Sequence, residues 1–416
     1  MFRLNGLTRV AAIGAFATLA GCESKVETLG PATPAGGDIF KSYISIGNSI
    51  TAGYQSGGIN DSTQRQSYAV RLASAMGTRF AYPSINMPGC EPPYANGLTA
   101  ARLGNAPPNT CALRAQGSVT DILNNVAVPG ARVLDPISTS TVASNVLTQL
   151  ILGGKTQVQK ALDAKPTFAT IWIGNNDVLI AGLTGLLTPF STISPGIVST
   201  QTQFQASYDA MISQLTAGAP GIKGVLIGVV QVAGLPSMVS GGLIASSPTI
   251  QATLSAAAGT PVTIYPNCVG STSLVDVPQL VQQIKAFNAA TGAGHPPVVA
   301  CEKSSPPFPA PVGDIFILDS QEQQTLTAAI NAYNAYIKTK ADAIGFAYYD
   351  PNPLFAAQRA NGSIPAFPNF QSTTATYGAL ISLDGVHPTG AAHALIANDL
   401  ISAINAKYST HLTNVQ

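Results

Sequence analysis

The chain has 416 residues, with 20 Lys and Arg against 19 Asp and Glu and a formal net charge of +1. Charged residues make up 9 % of it, far below the roughly 25 % of an average soluble protein, and no long basic run marks a nucleic-acid surface. No internal apolar run reaches the roughly 18–20 residues that a helix needs to cross a bilayer, while the length allows one large domain or two smaller ones.

Arg3 and Arg9 accompany an apolar stretch, Val10 to Ala20, that is too short to span a membrane, and residues 1–21 read as a secretory signal. The stretch ends in Leu19-Ala20-Gly21-Cys22, which resembles the lipobox of bacterial lipoproteins, whose cysteine is acylated and becomes the first mature residue. By that resemblance Cys22 carries the lipid. Glu23 follows it in place of an aspartate, which implies sorting to the outer membrane. An ordinary signal peptide with a chance cysteine is the alternative. Residues 22–40 are aperiodic and contain Gly, Pro and Thr, so they read as a tether before a domain spanning 41–416.

The domain opens with a short β-branched run at Ile44 and Ile46 that stops at Gly47, leaving Ser49 at a strand-to-turn edge. In open α/β sheets that edge is where ligands bind. Tyr68 to Met76 has a helical apolar face ended by Gly77, and residues 83–118 form a long loop. Asn125 to Ala131 is a second strand edge, with Gly130 able to bring a backbone N–H close to another group. Helices are expected at Val142 to Leu152 and Thr156 to Ala164, then a buried strand at Phe168 to Ile173 running into Gly174-Asn175-Asn176-Asp177. An amphipathic helix from Thr202 to Ala217 and a buried strand from Gly224 to Val232 continue the alternation, which implies a parallel sheet covered on both faces.

Residues 236–313 break that pattern and read as an insertion, rich in small polar residues and poor in core-forming ones, placed to form a wall or lid beside Ser49; a passenger loop on the far surface is the alternative. The fold is expected to resume with a strand at Ile315 to Leu318 and a helix from Gln321, where Ser320 and Gln323 fit a capping box. A strand at Phe346 to Tyr349, a turn at Asp384-Gly385-Val386-His387 and a helix from about Gly390 to Lys407 complete the chain. Four cysteines remain in the exported part. Their separations pair Cys90 with Cys111 and Cys268 with Cys301, each closing one Pro/Gly-rich region. A zinc site is the alternative, but no paired Cys-x-x-Cys spacing supports it, and no metal is expected.

A serine at a sheet edge becomes a nucleophile only if a base reaches it. Of the four histidines, His387 has a carboxylate, Asp384, three residues before it across a turn, able to fix one imidazole nitrogen and free the other for Ser49. The Ser49 N–H, the Gly130 N–H and the Asn176 amide are candidate donors to a developing oxyanion. His295 and His411 receive no role, and His393 is expected to face solvent from the last helix.

In order, these segments resemble the SGNH family, also called GDSL hydrolases. Gly47-Asn48-Ser49-Ile50-Thr51 is similar to its first block, Ala127-Val128-Pro129-Gly130-Ala131 to its second, Gly174-Asn175-Asn176-Asp177 to its third and Asp384-Gly385-Val386-His387 to its fifth. The resemblance covers about 41–235 and 314–408 and departs at Asn48, where the family usually has Asp. It implies a three-layer α/β/α sandwich with a central parallel sheet of about five strands. It also implies ester hydrolysis without a cofactor, with Ser49, His387 and Asp384 as the triad and Ser49, Gly130 and Asn176 at the oxyanion. The expected partners are a small-molecule or lipid-like ester and the membrane that holds the Cys22 lipid. Acyl transfer to an alcohol, removal of acetyl groups from carbohydrate, and ligand binding without catalysis are the rival readings.

Overall fold

The computed structural model describes residues 27–29, 37–97, 99–107, 109–113, 122–139, 146–187, 198–291, 297–302 and 316–416. The signal segment, Cys22 and His295 lie outside them.

Four parallel strands make the centre: β1 (Tyr43–Gly47), β2 (Phe168–Trp172), β3 (Lys223–Ile227) and β4 (Ala347–Tyr349), standing side by side in the order β4-β3-β2-β1. Ile46 lies opposite Ile171, and Ile171 opposite Leu226, so equivalent positions share a face. A fifth segment runs parallel along the free edge of β1. Ser45 N–H donates to the Asn124 carbonyl at 2.8 Å, and Val126 and Val128 donate back to the Ser45 and Gly47 carbonyls. The parallel central sheet and the α/β/α sandwich are as expected, with four strands and a bridged edge segment in place of about five strands.

Side chains alternate across a strand, so each strand supplies both cores. Ile44, Ile46, Ala169, Ile171 and Leu226 face one core. It is covered by α2 (Gln157–Leu162), α3 (Gln201–Gly218) and α4 (Ser320–Ile344). Tyr43, Phe168, Trp172, Val225 and Ile227 face the other, covered by α1 (Tyr68–Met76) and α5 (Gly390–Tyr408). Both faces are dry, which is why these strands read as unbroken apolar runs.

Several elements differ from expectation. Ile317–Leu318 is not a strand of the central sheet. It pairs antiparallel with Leu274–Asp276, which pairs antiparallel with Met238–Ser240. A two-residue apolar step holds no information about which sheet it joins. Nor is the insertion poor in core. Val239, Ile244, Leu254, Val275, Leu280 and Ile284 cluster at 5 % exposure or less with the Cys268–Cys301 bridge, Val239 and Val275 on strands Met238–Ser240 and Leu274–Asp276 and the others on helices Gly241–Ser246, Pro248–Ala258 and Val277–Thr291. The second expected bridge, Cys90–Cys111, is also formed. α4 starts one residue before the expected capping box. Asp319 is its N-cap, accepting from Glu322 N–H at 2.9 Å, and Glu322 returns a bond to Asp319 N–H. Part of the expected tether is built into the fold, since Glu27–Leu29 pairs antiparallel with Phe80–Tyr82 and Phe40 is buried.

Candidate active site

Ser49 stands where β1 turns into the short helix Ser49–Ala52. The turn is tight because Gly47 has no side chain: a Cβ there would lie 2.3 Å from Thr51 Oγ1 and 2.9 Å from the Trp172 carbonyl. The Gly47 N–H donates to Gln157 Oε1 at 3.1 Å, which ties the turn to α2. Asn48 caps the short helix, its Oδ1 accepting from Ile50 N–H at 3.1 Å, while its buried Nδ2 has no partner among the described residues. The Ser49 N–H sits at the helix start, where amides have no intrahelical acceptor, and it has no partner among the described residues.

His387 reaches this serine from 338 positions away. Its Nε2 lies 2.9 Å from Ser49 Oγ and its Nδ1 lies 2.9 Å from Asp384 Oδ2. The carboxylate fixes the tautomer that carries hydrogen on Nδ1 and leaves Nε2 as acceptor. Asp384 is itself held by donors: Gly57 N–H on Oδ2 at 2.7 Å, and Val386 N–H, His387 N–H and Ser382 Oγ–H on Oδ1 at 2.9, 2.9 and 3.1 Å. Burial alone raises its pKa. The neighbouring His387 charge and these bonds outweigh burial and hold the carboxyl at about 2. Gly385 shapes the turn at φ +74°, and a Cβ there would strike Ser237 and the Tyr377 ring. The Tyr54 ring leans on the imidazole with centroids 4.9 Å apart. No periodicity in the sequence marks Tyr54, Gly57 or Ser382 as part of this site.

Asn176 begins the helix Asn176–Thr184 at the edge of β2. One of its amide hydrogens goes to the Ala131 carbonyl at 2.9 Å, which leaves the second free and binds Asn176 to the residue after Gly130. Gly130 turns at φ +84°, and its N–H has no partner among the described residues. Asp177 locks the two loops together. Its buried carboxylate accepts from Val133 N–H at 2.9 Å and from Ser199 Oγ–H, and burial raises its pKa to about 6. Ser49, Asn176 and His387 line one cavity; Gly130 is not among its lining residues.

That cavity has a volume of about 500 Å³. Leu179, Val230, Val232, Leu235, Phe355 and Val386 make its walls apolar. Among the described residues the expected lid contributes only Pro236. The insertion turns its apolar residues inward on its own core, and a different element, the helix Asn352–Ala360, forms the wall. His393 does not face solvent. It is fully buried beneath α1, where its Nδ1 accepts from Tyr68 N–H at 3.2 Å. Among the described residues no group of three or more His, Cys, Asp or Glu is placed to hold a metal ion.

The sequence model of the GDSL-like lipase/acylhydrolase family matches residues 43–400. The chain belongs to this family. Among solved structures, this GDSL family member is similar to an extracellular lipase from Streptomyces rimosus at 15 % identity and a TM-score of 0.37, covering 87 % of this chain and 99 % of that one. It is similar to a catalytic mutant of an acetylxylan esterase from Geobacillus stearothermophilus at 11 % identity and a TM-score of 0.37, covering 94 % and 100 %. It is also similar to an active-site mutant of a family two carbohydrate esterase from Clostridium thermocellum at 11 % identity and a TM-score of 0.36. That match covers 89 % of this chain and 65 % of the esterase, so the chain spans less than two thirds of its length. A search of curated proteins finds no match.

Proposed function

We propose that this GDSL family member hydrolyses carboxylic esters through Ser49, His387 and Asp384. The observation that carries the reading is the continuous row Asp384–His387–Ser49, with both links at 2.9 Å, opening into an apolar cavity. Ser49 Oγ attacks the ester carbonyl while His387 Nε2 takes its proton. The oxyanion is received by the Ser49 N–H, the Gly130 N–H and the second Asn176 amide hydrogen, all unused by the described residues. His387 returns the proton to the leaving alcohol. Water, deprotonated by the same imidazole, then attacks the acyl-enzyme and releases the acid and Ser49. Asp384 stays ionised throughout and stabilises the imidazolium.

The apolar lining supports an acyl or alcohol group of several carbons over a bare acetyl group on a polysaccharide, whose hydroxyls need polar partners. Acyl transfer uses the same residues, with an acceptor alcohol in place of water. We further propose export and lipid anchoring at Cys22, supported by the apolar stretch and its Leu-Ala-Gly-Cys ending.

A fluorophosphonate probe and a panel of p-nitrophenyl esters from acetate to palmitate test the chemistry. The wild-type protein should label and turn over, and a folded Ser49→Ala protein should do neither. Unchanged hydrolysis by Ser49→Ala would end the proposal.

A further inference from the structure

The cavity holds a positive charge that nothing described answers. Asn352, Phe355, Ala356 and Arg359 lie three or four residues apart on the helix Asn352–Ala360 and line the cavity together. Arg359 is half-buried, and among the described residues no acceptor meets its guanidinium. The guanidinium rests against Gly234, where a Cβ would come within 3.4 Å of one of its nitrogens. Burial lowers its pKa from the ordinary arginine value, yet a guanidinium keeps its charge in a protein. A cation that loses hydration against apolar walls is costly unless an anion meets it, and a leucine or methionine would fill the same wall without that cost.

The spacing adds a length. Asn352 is tied to the carboxyl end of β3 through the Val229 carbonyl and Gln231 N–H, at 2.9 and 2.8 Å. Arg359 follows two helical turns later, about 10 Å along the axis. Phe355 and Ala356 line the wall between the two positions.

We propose that the cavity selects esters bearing an oxyanion, a carboxylate or a phosphate, at the far end of an apolar segment, with Arg359 as its partner. This rests on the hydrolysis at Ser49 proposed above.

Two substrate pairs test it and locate the anion. The mono-p-nitrophenyl ester of octanedioic acid against p-nitrophenyl octanoate places it on the acyl side. Octanoylglycerol phosphate against octanoylglycerol places it on the alcohol. In one pair the anionic member should have at least a roughly tenfold higher kcat/KM, the size expected of a charge-assisted contact. Arg359→Met should abolish that ratio and Arg359→Lys should keep part of it. A binding measurement stands apart from catalysis. By calorimetry, Ser49→Ala protein should bind octyl phosphate at least about tenfold more tightly than octanol, and Arg359→Met on that background should remove the difference. Loss of all hydrolysis with this binding difference intact would refute the reaction and uphold the anion site. No anionic preference in either pair and equal binding of the two octyl compounds would overturn the anion site, as would a preference that survives Arg359→Met.

Discussion

Ser49, His387 and Asp384 form one hydrogen-bonded row, and residues that act as a unit do not lose activity additively. Removing His387 from a Ser49→Ala protein should therefore cost almost nothing further in kcat, measured on one p-nitrophenyl ester; clearly additive losses would place His387 in a different task. Asn176 is a separate case because we propose two jobs for its amide. One hydrogen holds the Ala131 carbonyl, and the other, unused by the described residues, would meet the oxyanion. Asn176→Ala should lower kcat by roughly 10²–10³, the loss expected of one oxyanion donor. Asn176→Asp should fail similarly because it substitutes an acceptor for the donor. An unchanged kcat in either protein would remove Asn176 from the site.

At the scale of elements, α1 and α5 meet over a histidine that burial holds in its neutral form. Burial first, then Arg71 and His387, lowers the His393 pKa to about 3. Its ordinary value is 6.5, so the stability it lends is complete above that pH and is lost as pH falls from 6.5 toward 3. Between pH 7.5 and 4.5 this amounts to about 2–3 kcal/mol. His393→Gln, whose amide oxygen can still accept from Tyr68 N–H, should narrow the gap between urea midpoints at the two pH values. An undiminished gap would mean that other groups govern acid unfolding. The insertion makes a second case. Its bridge spans 33 positions, and a loop of that length constrains the unfolded chain by about 3–4 kcal/mol. The Cys268→Ser, Cys301→Ser protein should lose stability on that order in denaturant. The small-to-long ester ratio should stay the same, since among the described residues the cavity takes only Pro236 from this region. A changed ratio would restore the insertion to substrate selection.

For the whole molecule, one sheet separates two cores, and the cavity opens where its carboxyl edge meets the helix Asn352–Ala360 and the Asp384 turn. Ser237 and Tyr377 pack under Gly385, so the insertion braces that turn from behind. The built-in strand Glu27–Leu29 shortens the proposed tether. Only residues 23–26 separate it from Cys22, a reach of about 15 Å when extended. An acyl group on Cys22 would hold the domain close to the membrane surface. Cys22→Ala should move the protein from the membrane to the soluble fraction after a high-salt wash. Retention of the variant in the membrane pellet would locate the anchor elsewhere.

Local order was legible in the sequence. The helix Tyr68–Met76 has the expected bounds because its apolar spacing, its Ser67 cap and Gly77 are all local signals. The strands ending at Gly47 and near Trp172 were visible because a sheet covered on both sides demands unbroken apolar runs. Asp384 and His387 stood out because a three-residue spacing across a glycine turn brings the two together without help from the rest of the chain. What spans the molecule was decided by tertiary structure. Periodicity reports whether a residue is buried, and not against what, so Ile317 joined the insertion's sheet although its local pattern fitted the central one. His393 looks polar on a helix and is buried because α1 crosses that face. Arg359 joins the site only because its helix lies along the apolar cavity. The distance from Ser49 Oγ to His387 depends on the order in which parallel strands assemble. Strand order is set by which faces bury each other, a property of the folded whole that no window of sequence contains.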